Sequence, residues 1–261
     1  MNVQVGFSGG RTSGMMLARL AAQPGALDAA RVVFANTGRE MPETLDFVRD
    51  VGVHFGIAID WVEYTPERPW FRLVSHETAA RNGEPFEALI RKRKYLPNQQ
   101  ARFCTSDLKI KPAKRFLKSL GWRNWTNYVG IRADEAHRAK QPQNEPWQNA
   151  FPLIDAQISK ADVMQFWRQQ PFDLRLPSVE GKTPLGNCDG CFLKSERFIA
   201  ALSRDMPERA AWWERMEAET GGSWSKRYTR QGTREFVTAQ GDWIFDDASA
   251  LCQADGGECV V

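Results

Sequence analysis

Two kinds of chemistry stand out in this chain of 261 residues: a glycine-rich turn near its start that suits an anion, and soft thiol ligands further on. Phe7-Ser8-Gly9-Gly10-Arg11-Thr12-Ser13-Gly14 sets two adjacent glycines between two serines. Glycines allow a sharp turn and let several backbone N–H groups approach one phosphate, above all where a helix begins. The Gly-Lys-Ser/Thr ending of a Walker loop is absent, as is a Gly-x-Gly-x-x-Gly fingerprint. By itself the segment reads first as an ordinary strand-to-helix turn. Cys188-Asp189-Gly190-Cys191 is a C-x-x-C preceded by Gly186 and followed by Lys194, a tight turn that can aim two thiolates at one centre. The same spacing serves a redox disulfide or half of a zinc site. Cys252 and Cys259 fall in a Gly- and acid-rich end and read as tail thiols. The runs Arg91-Lys92-Arg93-Lys94 and Lys109, Lys111, Lys114, Arg115, Lys118 concentrate positive charge in the middle third, as an anion site or a solvated helix face would.

These residues need elements to position them. Residues 3–7 read as a short buried strand, 8–13 as a turn, and 14–22 as a helix carrying Met15, Met16, Leu17 and Leu20, stopped by Pro24-Gly25. A second unit follows: strand 31–35, turn 36–39 and a helix from Pro42 through 51, with Pro in its first turn. Segments 57–64 and 125–131 give two more strands. Strands alternating with helices predict an α/β fold, a doubly wound, mostly parallel sheet covered on both faces. The C-terminal part, bearing the C-x-x-C, reads as mostly helical, with a capping box at Ser159–Asp162 opening a helix through 169 and another helix over 207–219. Residues 68–103 are expected to form an insertion or cover with short helices, and residues from 221 onward a loosely structured tail. The division falls near residue 150, giving parts 1–150 and 151–261. Most of the ten tryptophans are expected to be core or surface anchors rather than base-stacking platforms.

Composition narrows the classes. A hydrophobic share of 42% and a charged share of 26% are ordinary for a globular protein. No apolar run approaches the ~18 residues that span a membrane, and no signal-like segment opens the chain, so a cytoplasmic location is expected. The net charge of +3 does not announce a nucleic-acid protein. Five cysteines are too few and scattered for a disulfide scaffold, which leaves metal binding or thiol chemistry.

In four ordered segments the sequence resembles the phosphoadenosine phosphosulfate (PAPS) reductase family of the PP-loop adenine-nucleotide α-hydrolase superfamily. They are Ser8 to Ser13; Asn36-Thr37-Gly38-Arg39-Glu40-Met41-Pro42-Glu43-Thr44; Cys104 to Pro112, ending Lys109-Ile110-Lys111-Pro112; and Gly130-Ile131-Arg132-Ala133-Asp134-Glu135 with Arg138. The resemblance implies a nucleotide-binding domain over 1–150. Ser8, Gly9, Gly10, Arg11, Thr12, Ser13, Asn36, Thr37, Gly38, Gly130, Arg132 and Arg138 would bind the nucleotide, and Arg11, Cys104, Lys109 and Arg132 would be catalytic. One departure stands out: Arg11-Thr12 replaces the family's usual Lys-Asp. The resemblance also places Cys104 near the pocket, so that Cys104, Cys188 and Cys191 would hold a [4Fe–4S] cluster, or zinc with His76 or His137. It implies ATP cleaved with Mg²⁺ at the α-phosphate, activating an acceptor for sulfur transfer. The acceptor would be a tRNA base, a DNA phosphate or a metabolite, and the cluster would draw on a sulfur donor. The alternatives are a PAPS reductase resolved by thioredoxin and a non-catalytic nucleotide- or nucleic-acid-binding module. The family's C-terminal Glu-Cys-Gly-x-His motif is not matched, since Glu258-Cys259 is followed by Val260-Val261.

Overall fold

The computed structural model describes residues 2–178 and 183–240. Cys252 and Cys259, and the end of the expected tail, lie outside them. Six strands form one sheet: β1 (Val3–Phe7), β2 (Ala30–Asn36), β3 (Ile59–Glu63), β4 (Arg72–Val74), β5 (Trp125–Tyr128) and β6 (Trp147–Ala150), in the order β4-β3-β2-β1-β5-β6. All neighbours run parallel except β3 and the edge strand β4. From β1 the chain winds outward through β2 and β3 on one side, then returns to place β5 on the other. That reversal opens a crevice at the carboxyl ends of β1 and β5, the position where doubly wound sheets bind ligands.

Side chains alternate across the pleat, so β2 feeds two cores. Val32 and Phe34 join Val5, Phe7 and Trp61 beneath α1 (Arg11–Ala21), α2 (Pro42–Phe55) and α6 (Lys160–Arg168), whose Met16, Phe47 and Trp167 are buried there. Val33 faces the other way and packs with Val62, Phe116 and Leu117 of α4 (Lys111–Ser119). Burial on both faces explains why β2 reads as a continuous apolar run from Val32 to Ala35 rather than as an alternating one.

A third core lies beyond the sheet edge. Phe86, Leu89 and Ile90 of α3 (Glu84–Arg93) pack against Trp212, Trp213 and Met216 of α8 (Pro207–Thr220) and against Leu202 of α7 (Glu196–Asp205). Residues 68–103 therefore contribute β4 and a well-packed helix rather than a loose cover. The reading of 221 onward is also corrected: Trp224 is buried and residues 230–240 form α9 (Arg230–Gln240), which packs on α7. Gly232 and two threonines disguise that helix in the sequence, and tertiary contact overrides the propensity. The capping box at Ser159 and Asp162 forms as expected. Trp212 and Trp213 are core residues, and Trp125 is buried with its indole donating to Gln4 at 3.0 Å. No helix is long and apolar enough to cross a membrane among the described residues.

Candidate functional site

The turn after β1 is shorter than expected, because helix α1 already begins at Arg11. Ser8, Gly9 and Gly10 form the turn, while Thr12 and Ser13 lie in the first helical turn. Gly9 has φ 79°, and a Cβ there would stand 2.7 Å from Thr44 Cγ2, so both backbone and packing require glycine. The Ser8 and Ser13 hydroxyls face each other at 2.9 Å, and the Ser8 N–H donates to Ser13 Oγ at 3.3 Å. Gly130, following β5, abuts the backbone of Ser13. Gly10 caps α1 with no side-chain acceptor, and no acidic residue occupies the first turn. The first N–H groups of the helix thus keep no intrahelical partner and carry the positive end of its dipole, which is what an anion requires.

Arg11 is not aimed at that anion position. Its Nε and Nη2 donate to Asp173 at 2.7 and 3.0 Å, Nη2 also reaches Leu174 O at 2.6 Å, and Nη1 reaches Thr183 Oγ1 at 3.1 Å. The guanidinium expected to serve phosphate instead ties Asp173, Leu174 and Thr183 to α1, and a planar fork suits that bidentate task better than lysine would. Arg132 is the cation beside the loop: it is buried, donates to Thr12 Oγ1 at 3.1 Å and pairs with Asp134 and Glu135. Arg138 pairs with Glu135 at 2.8 Å. Asn36 is also turned inward. Its Nδ2 donates to Glu63 at 2.6 Å and to Ala80 O at 2.9 Å, while Oδ1 accepts from the Gly38 N–H, so it shapes the turn rather than reaching outward.

Thr37 and the cysteines form a second centre. A cavity of about 30 Å³ is bordered by Thr37, Cys104, Lys109, Asn187, Cys188 and Cys191, with an apolar wall that includes Phe86, Leu108 and Trp213. Cys104 and Lys109 reach it together because residues 105–110 form a π-helix, with the Lys111 N–H bonded back to Ser106 O. A wider turn brings positions four and five apart onto one face, and such bulges recur at functional sites. Thr37 Oγ1 lies 3.3 Å from Cys188 Sγ and also donates to Glu40 at 2.9 Å. Burial and the negative charge of Glu40 push the Cys188 thiol well above its usual value, opposed by Lys109.

The two inner residues of the C-x-x-C carry information that the motif alone does not reveal. Asp189 is fully buried and accepts from Arg39 Nη2 at 2.6 Å, Trp213 Nε1 at 2.8 Å, Arg209 Nε and the Gly190 N–H. Its own N–H donates to Arg39 O at 3.0 Å. Gly190 lies so close to Trp213 that a Cβ would stand 2.4 Å from Nε1. Residues 37–40 and 188–191 are thereby clamped together across a sequence distance no spacing argument reaches. Nothing in the sequence marks this clamp, because an acid between two cysteines reads as exposed until the partners that bury it are known.

Three thiols, those of Cys104, Cys188 and Cys191, border this cavity. Among the described residues no three His, Cys, Asp or Glu side chains are arranged to hold one metal ion. Neither histidine named as a fourth zinc ligand borders the cavity: His76 pairs with Asp46 at 2.8 Å, and His137 is exposed on the 133–138 turn.

Comparisons with known proteins agree with this arrangement of motifs. The family described as phosphoadenosine phosphosulfate reductase domain matches residues 2–173. An uncharacterized nin region protein of Escherichia phage lambda is 33% identical over 210 residues, covering 77% of this chain and 69% of that protein. An uncharacterized protein of Methanocaldococcus jannaschii is 30% identical over 135 residues, or 51% of this chain and 23% of the archaeal one. Among solved structures, the phosphoadenylyl-sulfate reductase of Candida auris in its phosphate complex aligns with TM-score 0.45 at 17% identity, over 67% of this chain and 75% of that one. With the family match running from β1 to the Arg11 anchor at Asp173, the chain belongs to the phosphoadenosine phosphosulfate reductase domain family, within the PP-loop nucleotide-using enzymes.

Proposed function

We propose that this chain is an adenine-nucleotide-dependent sulfur-transfer enzyme that binds ATP at the β1 and β5 crevice and cleaves it at the α-phosphate. The activated acceptor, a tRNA base, a DNA phosphate or a small metabolite, would then take sulfur at the cysteine cavity. The observation that carries this reading is the contact between the two halves: Thr37, from the segment after β2, touches Cys188 at 3.3 Å. A nucleotide in the crevice at the carboxyl ends of the strands and a sulfur centre at the cavity would share one wall.

The helix α1 N–H groups and the Ser8 and Ser13 hydroxyls donate to phosphate oxygens, and Arg132 supplies the nearby positive charge. Mg²⁺ carried by the nucleotide would neutralise the pyrophosphate. Cys104, Cys188 and Cys191 would hold a [4Fe–4S] cluster, whose chemistry when bound is an iron position open to sulfur. Lys109 holds positive charge at the cavity, and the apolar wall keeps water out.

Anaerobic reconstitution tests the reading. A brown protein that releases pyrophosphate from ATP supports it, while a colourless zinc-loaded protein sinks the sulfur-transfer step. Thioredoxin-dependent sulfite release from PAPS, with ATP inert, would establish the reductase reading instead. Failure to bind any adenine nucleotide in calorimetry would leave a non-catalytic module.

A further inference from the structure

The outer face of α4 carries charge that neither the loop nor the cavity uses. Lys111, Arg115 and Lys118 recur at i, i+4 and i+7 and so share one side of the helix, while Pro112, Ala113, Phe116 and Leu117 are buried on the other. No acidic residue occurs in α4. Arg115 and Lys118 make no ion pair among the described residues, and neither does the exposed Arg68, which reaches the same place from the segment after β3. Lys111 shares the carboxylate of Asp107 with Arg93. Glu67 is the other acid acting here. Arg68, Arg93, Lys111, Arg115 and Lys118 thus stand against Asp107 and Glu67, and the patch is left strongly positive.

Trp70 fixes two of these cations. The guanidinium carbons of Arg68 and Arg115 each stand 4.9 Å from its ring centroid. Trp70 itself has φ 65°, a backbone conformation that a bulky residue rarely adopts. A guanidinium stacked on an aromatic ring keeps its N–H edge for another partner and has already given up much of its rotamer freedom. Two such groups on one ring make a preformed clamp for phosphate oxygens. A lone phosphate would need only the clamp. The α4 cations extend it: Lys111 to Lys118 spans about 10 Å of helix, which matches about three phosphates of a strand at ~3.4 Å per nucleotide. The Lys111 end adjoins the π-helix that carries Cys104 and Lys109 to the cavity, so a strand lying on the stripe would be led there.

We infer that the Arg68, Trp70 and Arg115 clamp, continued by the α4 stripe, binds the phosphodiester backbone of a nucleic-acid strand. As an assignment of the acceptor this rests on the sulfur-transfer reading above; the binding surface stands without it.

The test measures binding of short fluorescein-labelled RNA and DNA oligonucleotides to the full-length protein by anisotropy, over a salt series. Wild type is compared with Arg68→Gln combined with Arg115→Gln. The control is Arg19→Gln combined with Arg168→Gln, which removes equal charge from exposed positions of α1 and α6, packed on the opposite face of the sheet. Equal denaturation midpoints establish that each variant is folded. Loss of the stacked pair is expected to weaken binding about tenfold or more at low salt and to flatten the logarithmic salt slope by about 1.4–1.8, as two lost phosphate contacts require. The control should stay within about twofold of wild type. Equal weakening by both pairs, or no oligonucleotide binding by wild type, overturns the inference. Preference for phosphatidylserine vesicles over either oligonucleotide overturns it too, by assigning the surface to a membrane. The RNA and DNA arms identify the strand. Pyrophosphate release from ATP, followed in parallel, separates the two readings: wild type that releases pyrophosphate yet binds no oligonucleotide loses this surface alone, and one that binds oligonucleotide with ATP inert keeps the surface and loses the sulfur-transfer reading.

Discussion

Gly9 and Lys109 carry the clearest single-residue expectations, one for each half of the site. Gly9→Ala puts a Cβ at φ 79° and 2.7 Å from Thr44, so the turn must open. Strain of this kind costs about 1–3 kcal/mol, and both the denaturation midpoint and ATP affinity by calorimetry should fall. Unaltered ATP affinity in the Gly9→Ala variant would show that the Ser8 to Gly10 turn does not contact phosphate. Lys109 is 6% exposed at the cysteine cavity, and Lys109→Met is expected to reduce turnover about 100-fold while leaving ATP affinity unchanged. A matching loss in both would place Lys109 at the nucleotide instead. Both positions were legible in the sequence from motif context, since residue type and spacing sufficed to nominate them. Asp189 was not, because a residue inside a C-x-x-C acquires meaning only from what surrounds it.

At the scale of elements, two devices hold the cysteines in place. The first is the buried pair of Arg39 with Asp189, in which both side chains are nearly solvent-free. Removing one partner of such a pair strands a buried charge, so Asp189→Ala is expected to lose about 3–5 kcal/mol in urea denaturation. Gly190→Ala should also destabilise the turn, because its Cβ would overlap Trp213. The second is the π-helix carrying Cys104 and Lys109, anchored by Asp107 to Lys111 at 2.5 Å and to Arg93. Burial alone would raise the Asp107 carboxyl, but hydrogen bonds from Lys111, Arg93 and Ser106 outweigh it and hold it below its usual value. A depressed carboxylate stabilises the fold fully above its unfolded value of about 3.9, and that stability is lost as pH falls through the lower folded value. Acid denaturation should therefore gain a component below about pH 4 that Asp107→Asn abolishes; an identical acid limb in the variant would count against the anchor.

For the whole molecule, the decisive contact is between the N-terminal loop and the C-terminal part. Arg11 grips Asp173, Leu174 and Thr183, and Trp167 donates to Arg11 O at 2.7 Å, so the first helix and the segment after α6 share one anchor. Asp173 is 40% exposed, which screens the charge, and Asp173→Ala is expected to cost only about 1 kcal/mol. Its larger effect should be local: amide hydrogen exchange at Leu174 and in the first turn of α1 should accelerate several-fold. Exchange at the wild-type rate would show that Arg11 does not fasten Asp173 and Leu174 to α1. The same anchor explains how a loop arginine can replace a lysine without serving phosphate.

What the sequence determined by itself was local and ordered: the strand, turn and helix units, the Ser159 capping box, the four family segments and the identity of the three cavity thiols. Each depends on neighbours within a few residues or on motif order, which a one-dimensional reading retains. Only the tertiary structure decided that Arg11 faces Asp173, that Asn36 faces Glu63, that α9 forms despite weak propensity, and that Thr37 meets Cys188. The direction of a long side chain, and the partner that compensates its burial, are set by residues brought together only when the sheet and helices pack.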